Sequence, residues 1–160
     1  MTEHERFNDA KCDCQGRLFV GTMVQDDKGQ ITPMAGDLYR LDGEQLVHVA
    51  GKFTVSNGMS WTKDTFFFND SDDQKIWRFD FSQHSGELSN PRVLLDIRKT
   101  NSGIGDSEYP DGMCIDAEDN LWIALWGGSR VVKLNTNTGK PLYYFYIVDC
   151  EIYINQGLYT

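Results

Sequence analysis

Short runs of aromatic, aliphatic and β-branched residues alternate along the chain with turn-forming Gly, Asp and Asn. Residues 17–23, 65–68, 76–79 and 120–125 are the clearest of these runs. Each has the length and composition of a β-strand bounded by turns. No stretch keeps apolar residues at helical spacing over three turns, so the pattern predicts an all-β chain.

The runs repeat. Asn8-Asp9-Ala10-Lys11-Cys12-Asp13 precedes the run that opens at Arg17. Asn57-Gly58-Met59-Ser60-Trp61-Thr62 precedes Thr65, and Asp111-Gly112-Met113-Cys114-Ile115-Asp116 precedes Asn120. With Asp13 set against Asp116 the three segments share one register, the middle copy being one residue shorter, and Asn8, Asn57 and Asp111 fall in one phase. A second element recurs as Leu38-Tyr39-Arg40-Leu41-Asp42, Ile76-Trp77-Arg78-Phe79-Asp80 and Val131-Val132-Lys133-Leu134-Asn135. A period of about 50 residues with several strands per unit is that of β-propeller blades. A β-sandwich also has turns at short intervals, but repetition at one fixed phase favours the propeller.

Composition adds mostly exclusions. Of 160 residues 40% are hydrophobic and 12% aromatic, enough apolar surface to build a core and exclude a disordered chain. No apolar run approaches the ~20 residues of a membrane-spanning helix, so no membrane association is expected. Lys and Arg number 15 against 24 Asp and Glu, a net charge of −9. That argues against a nucleic-acid partner, which needs a basic patch. The polar N-terminus has no apolar core of a secretory signal. Cys12, Cys14, Cys114 and Cys150 contain no C-x2-C pair, so no structural zinc site is expected; they read as reduced thiols in a reducing compartment, and a cytoplasmic location is expected.

Equivalent residues of successive blades lie at equivalent places around a central channel. Asn8, Asn57 and Asp111 are therefore expected to converge at one end of it, where two amides and a carboxylate offer hard oxygen ligands to a divalent cation. The competing explanation is local: Asn57-Gly58 and Asp111-Gly112 are common tight-turn pairs. Other signals are weaker. Asp70-Ser71-Asp72-Asp73 starts like an EF-hand loop, but Lys75 and Phe81 stand where Gly and Glu are needed, so an acidic hairpin turn is expected. Asn69-Asp70-Ser71 matches the glycosylation triplet but carries little weight without a secretory signal. His4, His48 and His84 share no metal-ligand spacing and read as surface residues.

Arg6-Phe7-Asn8-Asp9-Ala10-Lys11, Gly21-Thr22-Met23, Ser56-Asn57-Gly58-Met59-Ser60-Trp61 and Pro110-Asp111-Gly112-Met113-Cys114-Ile115-Asp116 are followed by Asn120-Leu121-Trp122-Ile123-Ala124 and Gly127-Gly128-Ser129-Arg130-Val131. In order and spacing this series resembles the regucalcin (senescence marker protein)/gluconolactonase family, which includes the insect luciferin-regenerating enzymes. The resemblance implies a six-bladed β-propeller with one divalent metal (Ca2+, Zn2+, Mn2+ or Mg2+) at the channel mouth and hydrolysis of sugar lactones or related small esters and lactones. It implies Asn57 and Asp111 as metal ligands, Asp111 as general base, and Arg6 and Asn8 as substrate contacts. Asp26 is a further substrate-contact candidate, where the family usually has Glu. The alternative role implied is non-catalytic calcium binding.

The match covers about residues 5–142 and corresponds to the middle of the family's sequence. The expected organisation is thus about three blades of an incomplete ring over 1–142, with a divergent tail at 143–160. The chain is expected to be an internal fragment lacking the blade that supplies a ligating Glu. Family members are monomers; an open set of blades is expected to be inactive or prone to self-association.

Overall fold

The computed structural model describes residues 4–148 and 151–154; Cys150 and the end of the expected tail lie outside them. Three antiparallel meanders follow one another. The first comprises β1 (Glu5–Cys12), β2 (Leu18–Val24), β3 (Gly36–Asp42) and β4 (Gln45–Phe53). The second comprises β5 (Ser56–Trp61), β6 (Thr65–Asp70), β7 (Lys75–Phe81) and β8 (Leu88–Asp96). The third comprises β9 (Tyr109–Ile115), β10 (Asn120–Trp126), β11 (Arg130–Asn135) and β12 (Pro141–Val148), with β13 (Glu151–Ile154) added at its edge. In each sheet the strands lie in chain order and the first is innermost: β1 packs on β5, and β5 on β9. This is the arrangement of propeller blades, and the three sheets do not close into a ring. Every run read as a strand is one, and residues 143–148 continue the third blade as part of β12. Among the described residues no helix is long and apolar enough to cross a membrane.

Two apolar cores lie between the blades, and one triplet divides itself between them. Phe66 and Phe68 pack with Phe19, Leu38, Phe53, Met59 and Phe79 toward the first blade. Phe67 faces the other way, onto Leu121, Ile123 and Val132 of the third. Successive strand residues point to opposite faces, and the middle blade is covered on both. All six residues of β6 are therefore buried, and the alternation expected of a half-exposed strand is absent there. Each such Phe contributes roughly 1.5–3 kcal/mol through its burial.

The repeat phase is visible in the turns as well. Asp13 Oδ1 accepts the N–H groups of Gln15 and Arg17, and Asp116 Oδ1 accepts those of Glu118 and Asn120. The same carboxylate closes the same inner hairpin in the first and third blades. Desolvation opposes ionisation of Asp116, but these N–H groups with Lys133 and Trp122 outweigh it and hold its carboxyl well below the usual range. Cys12 ends β1 while Cys14 lies in the turn beyond; both, with Cys114, are free and exposed. His4, His48 and His84 are exposed.

Candidate functional site

Asn57-Gly58 and Asp111-Gly112 lie within the inner strands β5 and β9, not in hairpin turns. The turn preference of these pairs yields to pairing of each inner strand with the next strand of its blade. It leaves a trace nonetheless, because each inner strand slips register at this point. The slip falls between Phe7 and Ala10 in β1, between Ser56 and Met59 in β5, and between Pro110 and Met113 in β9. A bulge frees a residue from the ladder and re-aims its side chain. Three bulges in one repeat phase bring Asn8, Asn57 and Asp111 to a single cavity of about 480 Å³.

Gly58 makes the approach of β9 possible. A Cβ there would stand 2.5 Å from the carbonyl oxygen of Asp111 and 2.7 Å from the nitrogen of Met113. The middle blade then locks β9 in place. Asn69 Nδ2 donates to the Asp111 carbonyl at 2.7 Å, and Ser71 Oγ to that of Pro110 at 2.6 Å. Between them, Asp70 accepts the N–H groups of Thr54 and Val55 at the junction of the first two blades. Burial pushes its carboxyl up to about 6, against the lowering effect of those two bonds. The triplet Asn69-Asp70-Ser71 thus couples all three blades behind the cavity. Asn69 is fully buried and is no glycosylation acceptor in this fold. Residues 71–74 form the hairpin turn expected there.

Lys11, three residues beyond Asn8, reaches across the channel. Its Nζ donates to Ser60 Oγ of β5 at 3.3 Å and to the Met113 carbonyl of β9 at 3.1 Å. One ammonium therefore ties the three inner strands together.

Of the five candidate residues, Arg6, Asn8, Asn57 and Asp111 line the cavity and Asp26 does not. Asp26 lies in the loop after β2, where its Oδ1 accepts the N–H groups of Lys28 and Gln30, the same turn closure made by Asp13 and Asp116. Arg6 donates to Gln25 Oε1, to Asn8 Oδ1 and to the carbonyl of Phe7. Asn8 Nδ2 donates to the Ser56 carbonyl at 2.9 Å, which anchors this network to the second blade. Gln25, Asp72, Tyr109 and Trp126 also line the cavity. None of them belongs to the repeat phase. Two of them left a signal: Trp126 as the last residue of an apolar run abutting two glycines, and Asp72 as part of the acidic turn after Asn69.

The half-buried Asn57 and Asp111 side chains make no hydrogen bond or ion pair among the described residues, unlike their neighbours Arg6 and Asn8. Two unpartnered hard-oxygen groups facing one cavity suit part of a divalent cation's shell; Ca2+ takes 6–8 oxygens. Among the described residues no group of three His, Cys, Asp or Glu is placed to hold a metal; Asn57 and Asp111 could supply two oxygen donors of such a site but not the whole of it.

A family model described as SMP-30/Gluconolactonase/LRE-like region matches residues 1–144. Regucalcin of Gallus gallus is 37% identical over 143 residues, covering 87% of this chain and 46% of that protein. An uncharacterized protein of Sulfolobus acidocaldarius is 38% identical over 140 residues, covering 86% and 47%. The chain thus spans about half the length of the curated relatives it matches. Among solved structures, a luciferin-regenerating enzyme superposes with a TM-score of 0.78 at 25% identity, covering 99% of this chain and 58% of its own. A regucalcin of Agrobacterium tumefaciens superposes with a TM-score of 0.74 at 20% identity, covering 94% and 53%, which supports the propeller fold. A family match over nine-tenths of the chain, strand order, and the convergence of the inner-strand repeat on one cavity agree: the chain belongs to the SMP-30/gluconolactonase/LRE-like family.

Proposed function

We propose that the cavity hydrolyses a small lactone, of the sugar-lactone type or a related one, with the help of a divalent cation held in part by Asn57 and Asp111. The observation that carries this reading is the convergence of Arg6, Asn8, Asn57 and Asp111 on one cavity through bulges in the inner strands. A gluconolactonase of Xanthomonas campestris shares the fold with a TM-score of 0.62 at 15% identity.

The chemistry follows from what these groups are. A bound cation would supply Lewis-acid polarisation of the lactone carbonyl. Asp111 has two carboxylate oxygens, so it could accept a proton from the attacking water and would also help to hold the cation. Such general-base help is typically worth about 10²–10⁴-fold. Arg6 is held by Gln25 Oε1 at 3.3–3.4 Å, so its guanidinium is oriented before substrate arrives. Asn8 stands beside it, anchored to Ser56. Both orient the substrate's oxygens, and no covalent nucleophile is needed.

The test is gluconolactone hydrolysis by the 160-residue chain, whose open set of blades is expected to lower turnover, with Zn2+, Mn2+, Mg2+ or Ca2+ added, alongside calorimetric titration of each ion. Asp111→Asn should lower turnover by at least about 100-fold, and Asn57→Ala should weaken ion binding. Unchanged turnover in Asp111→Asn removes that residue from the mechanism. Calcium binding without turnover of any lactone favours the non-catalytic alternative.

A further inference from the structure

The cavity carries an apolar feature that lactone hydrolysis as such does not require. Trp126 is 66% exposed, the most exposed large apolar side chain among the described residues of the third blade. It closes β10 as the direct cross-strand partner of Tyr109, which opens β9, and their ring centroids lie 5.7 Å apart at 57°. Both line the cavity that holds Asn57 and Asp111, and Met23, Ile31 and Val55 extend the same apolar lining.

The pair is rigidly mounted. Gly127 follows Trp126 with a positive φ of 80°, and a Cβ there would stand 2.6 Å from the Ser107 carbonyl oxygen. Arg130 bonds Glu108, the neighbour of Tyr109, through Nε at 2.8 Å, and its guanidinium lies 4.4 Å from the Tyr144 ring. An exposed indole held in place beside a reaction site is a hydrophobic surface kept ready for a ligand, since its desolvation is deferred until the ligand binds.

The polar side of the cavity points the same way. A polyhydroxylated ligand needs a donor or acceptor for each hydroxyl it brings. Four of the five N–H groups of Arg6 are already engaged with Gln25, Asn8 and Phe7, and one of the two on Asn8 Nδ2 with Ser56, so each residue has a single N–H left for substrate. Beyond Asn57 and Asp111, the unbonded polar groups include those two N–H groups and the Asp72 carboxylate, set against five apolar side chains.

We propose that Tyr109 and Trp126 form an aromatic subsite that makes the cavity select lactones bearing an aryl or apolar substituent over fully hydroxylated ones. This rests on the lactone reading above and narrows its substrate class. The ring carbonyl lies toward Asn57 and Asp111, and the substituent stacks on the indole.

Lactams separate binding from hydrolysis, because ring nitrogen in place of ring oxygen makes them resist it. The experiment titrates the 160-residue chain calorimetrically with a benzo-fused δ-lactam and with a polyhydroxylated δ-lactam, in the wild type, Trp126→Ala and Trp126→Phe. The benzo-fused lactam should bind more tightly. Trp126→Ala should weaken it about tenfold, the scale of lost aromatic stacking, leave the polyhydroxylated lactam within about twofold, and be largely rescued by Trp126→Phe. Trp126 is exposed enough that truncating it opens no core cavity. Equal weakening of both lactams, no weakening of the benzo-fused one, or no binding of it to the wild type overturns the subsite. Lactone turnover with Trp126-independent binding fails the subsite alone. Trp126-dependent binding without turnover of any lactone fails the hydrolytic reading instead.

Discussion

Replacing Gly58 by alanine adds one methyl group at the closest approach of two blades. That methyl carbon would stand 2.5 Å from the Asp111 carbonyl oxygen, 2.7 Å from Met113 N and 2.9 Å from Asn69 Nδ2. The first contact is roughly 0.9 Å short of ordinary van der Waals separation, which begins near 3.4 Å. Two of the three atoms are backbone of β9 and cannot rotate away. β5 and β9 must therefore separate, and the Asn69 bond to the Asp111 carbonyl, 2.7 Å long, stretches beyond hydrogen-bonding range. Overpacking costs about 1–3 kcal/mol, and a buried polar group left unpaired about 1–3 kcal/mol more. The expected loss is about 2–6 kcal/mol. With a urea m-value of about 2 kcal/mol/M, the midpoint falls by about 1–3 M with m unchanged.

Gly112→Ala is the control in the same repeat phase of the neighbouring blade. A Cβ at Gly112 meets nothing within 4 Å, and its φ is not positive. It should change stability by less than about 1 kcal/mol, in the stabilising direction if the shorter list of unfolded conformations prevails. Equal urea midpoints for Gly58→Ala and Gly112→Ala would refute the claim that contact between β5 and β9 is what requires glycine at position 58.

Three further outcomes are expected. Asp70 has a folded value of about 6, above the ordinary carboxylate value, so its contribution to stability is complete below about pH 4 and is lost as pH rises through about 6. The unfolding free energy of the wild type minus that of Asp70→Asn should fall by roughly 3 kcal/mol between pH 4 and pH 7; a flat difference in urea titrations would contradict it. Phe67→Ala, which empties a fully buried site between the second and third blades, should cost about 3–5 kcal/mol by chemical denaturation. Lys11→Met removes the ammonium shared by Ser60 and the Met113 carbonyl and should cost about 1–3 kcal/mol in the same assay; a neutral result would mean the channel tie adds nothing.

Much of this molecule is decided by short stretches of chain, and those parts were legible. Strand runs and turn residues are local, so the strands at 17–23, 65–68, 76–79 and 120–125 could be read directly. A repeat adds a second kind of information: residues of one phase occupy equivalent places, whatever the details of packing. Asn8, Asn57 and Asp111 could therefore be assigned to one cavity, and Asp13 matched to Asp116, before any contact was known. What only the tertiary structure decided depends on strands distant in sequence. Asn57-Gly58 is a bulge because β6 and β9 enclose it, although its local preference is a turn. Phe66-Phe67-Phe68 does not alternate because a blade lies on either face. Asn69 and Asp70, polar and beside a turn, are buried because they hold the backbone of two neighbouring blades. Asp26 is engaged by its own loop, and Tyr109 and Trp126 meet in the cavity through a cross-strand pairing that no repeat marks. Periodicity places what recurs; the residues that give this cavity its own character are the ones that do not recur, and packing alone brings them there.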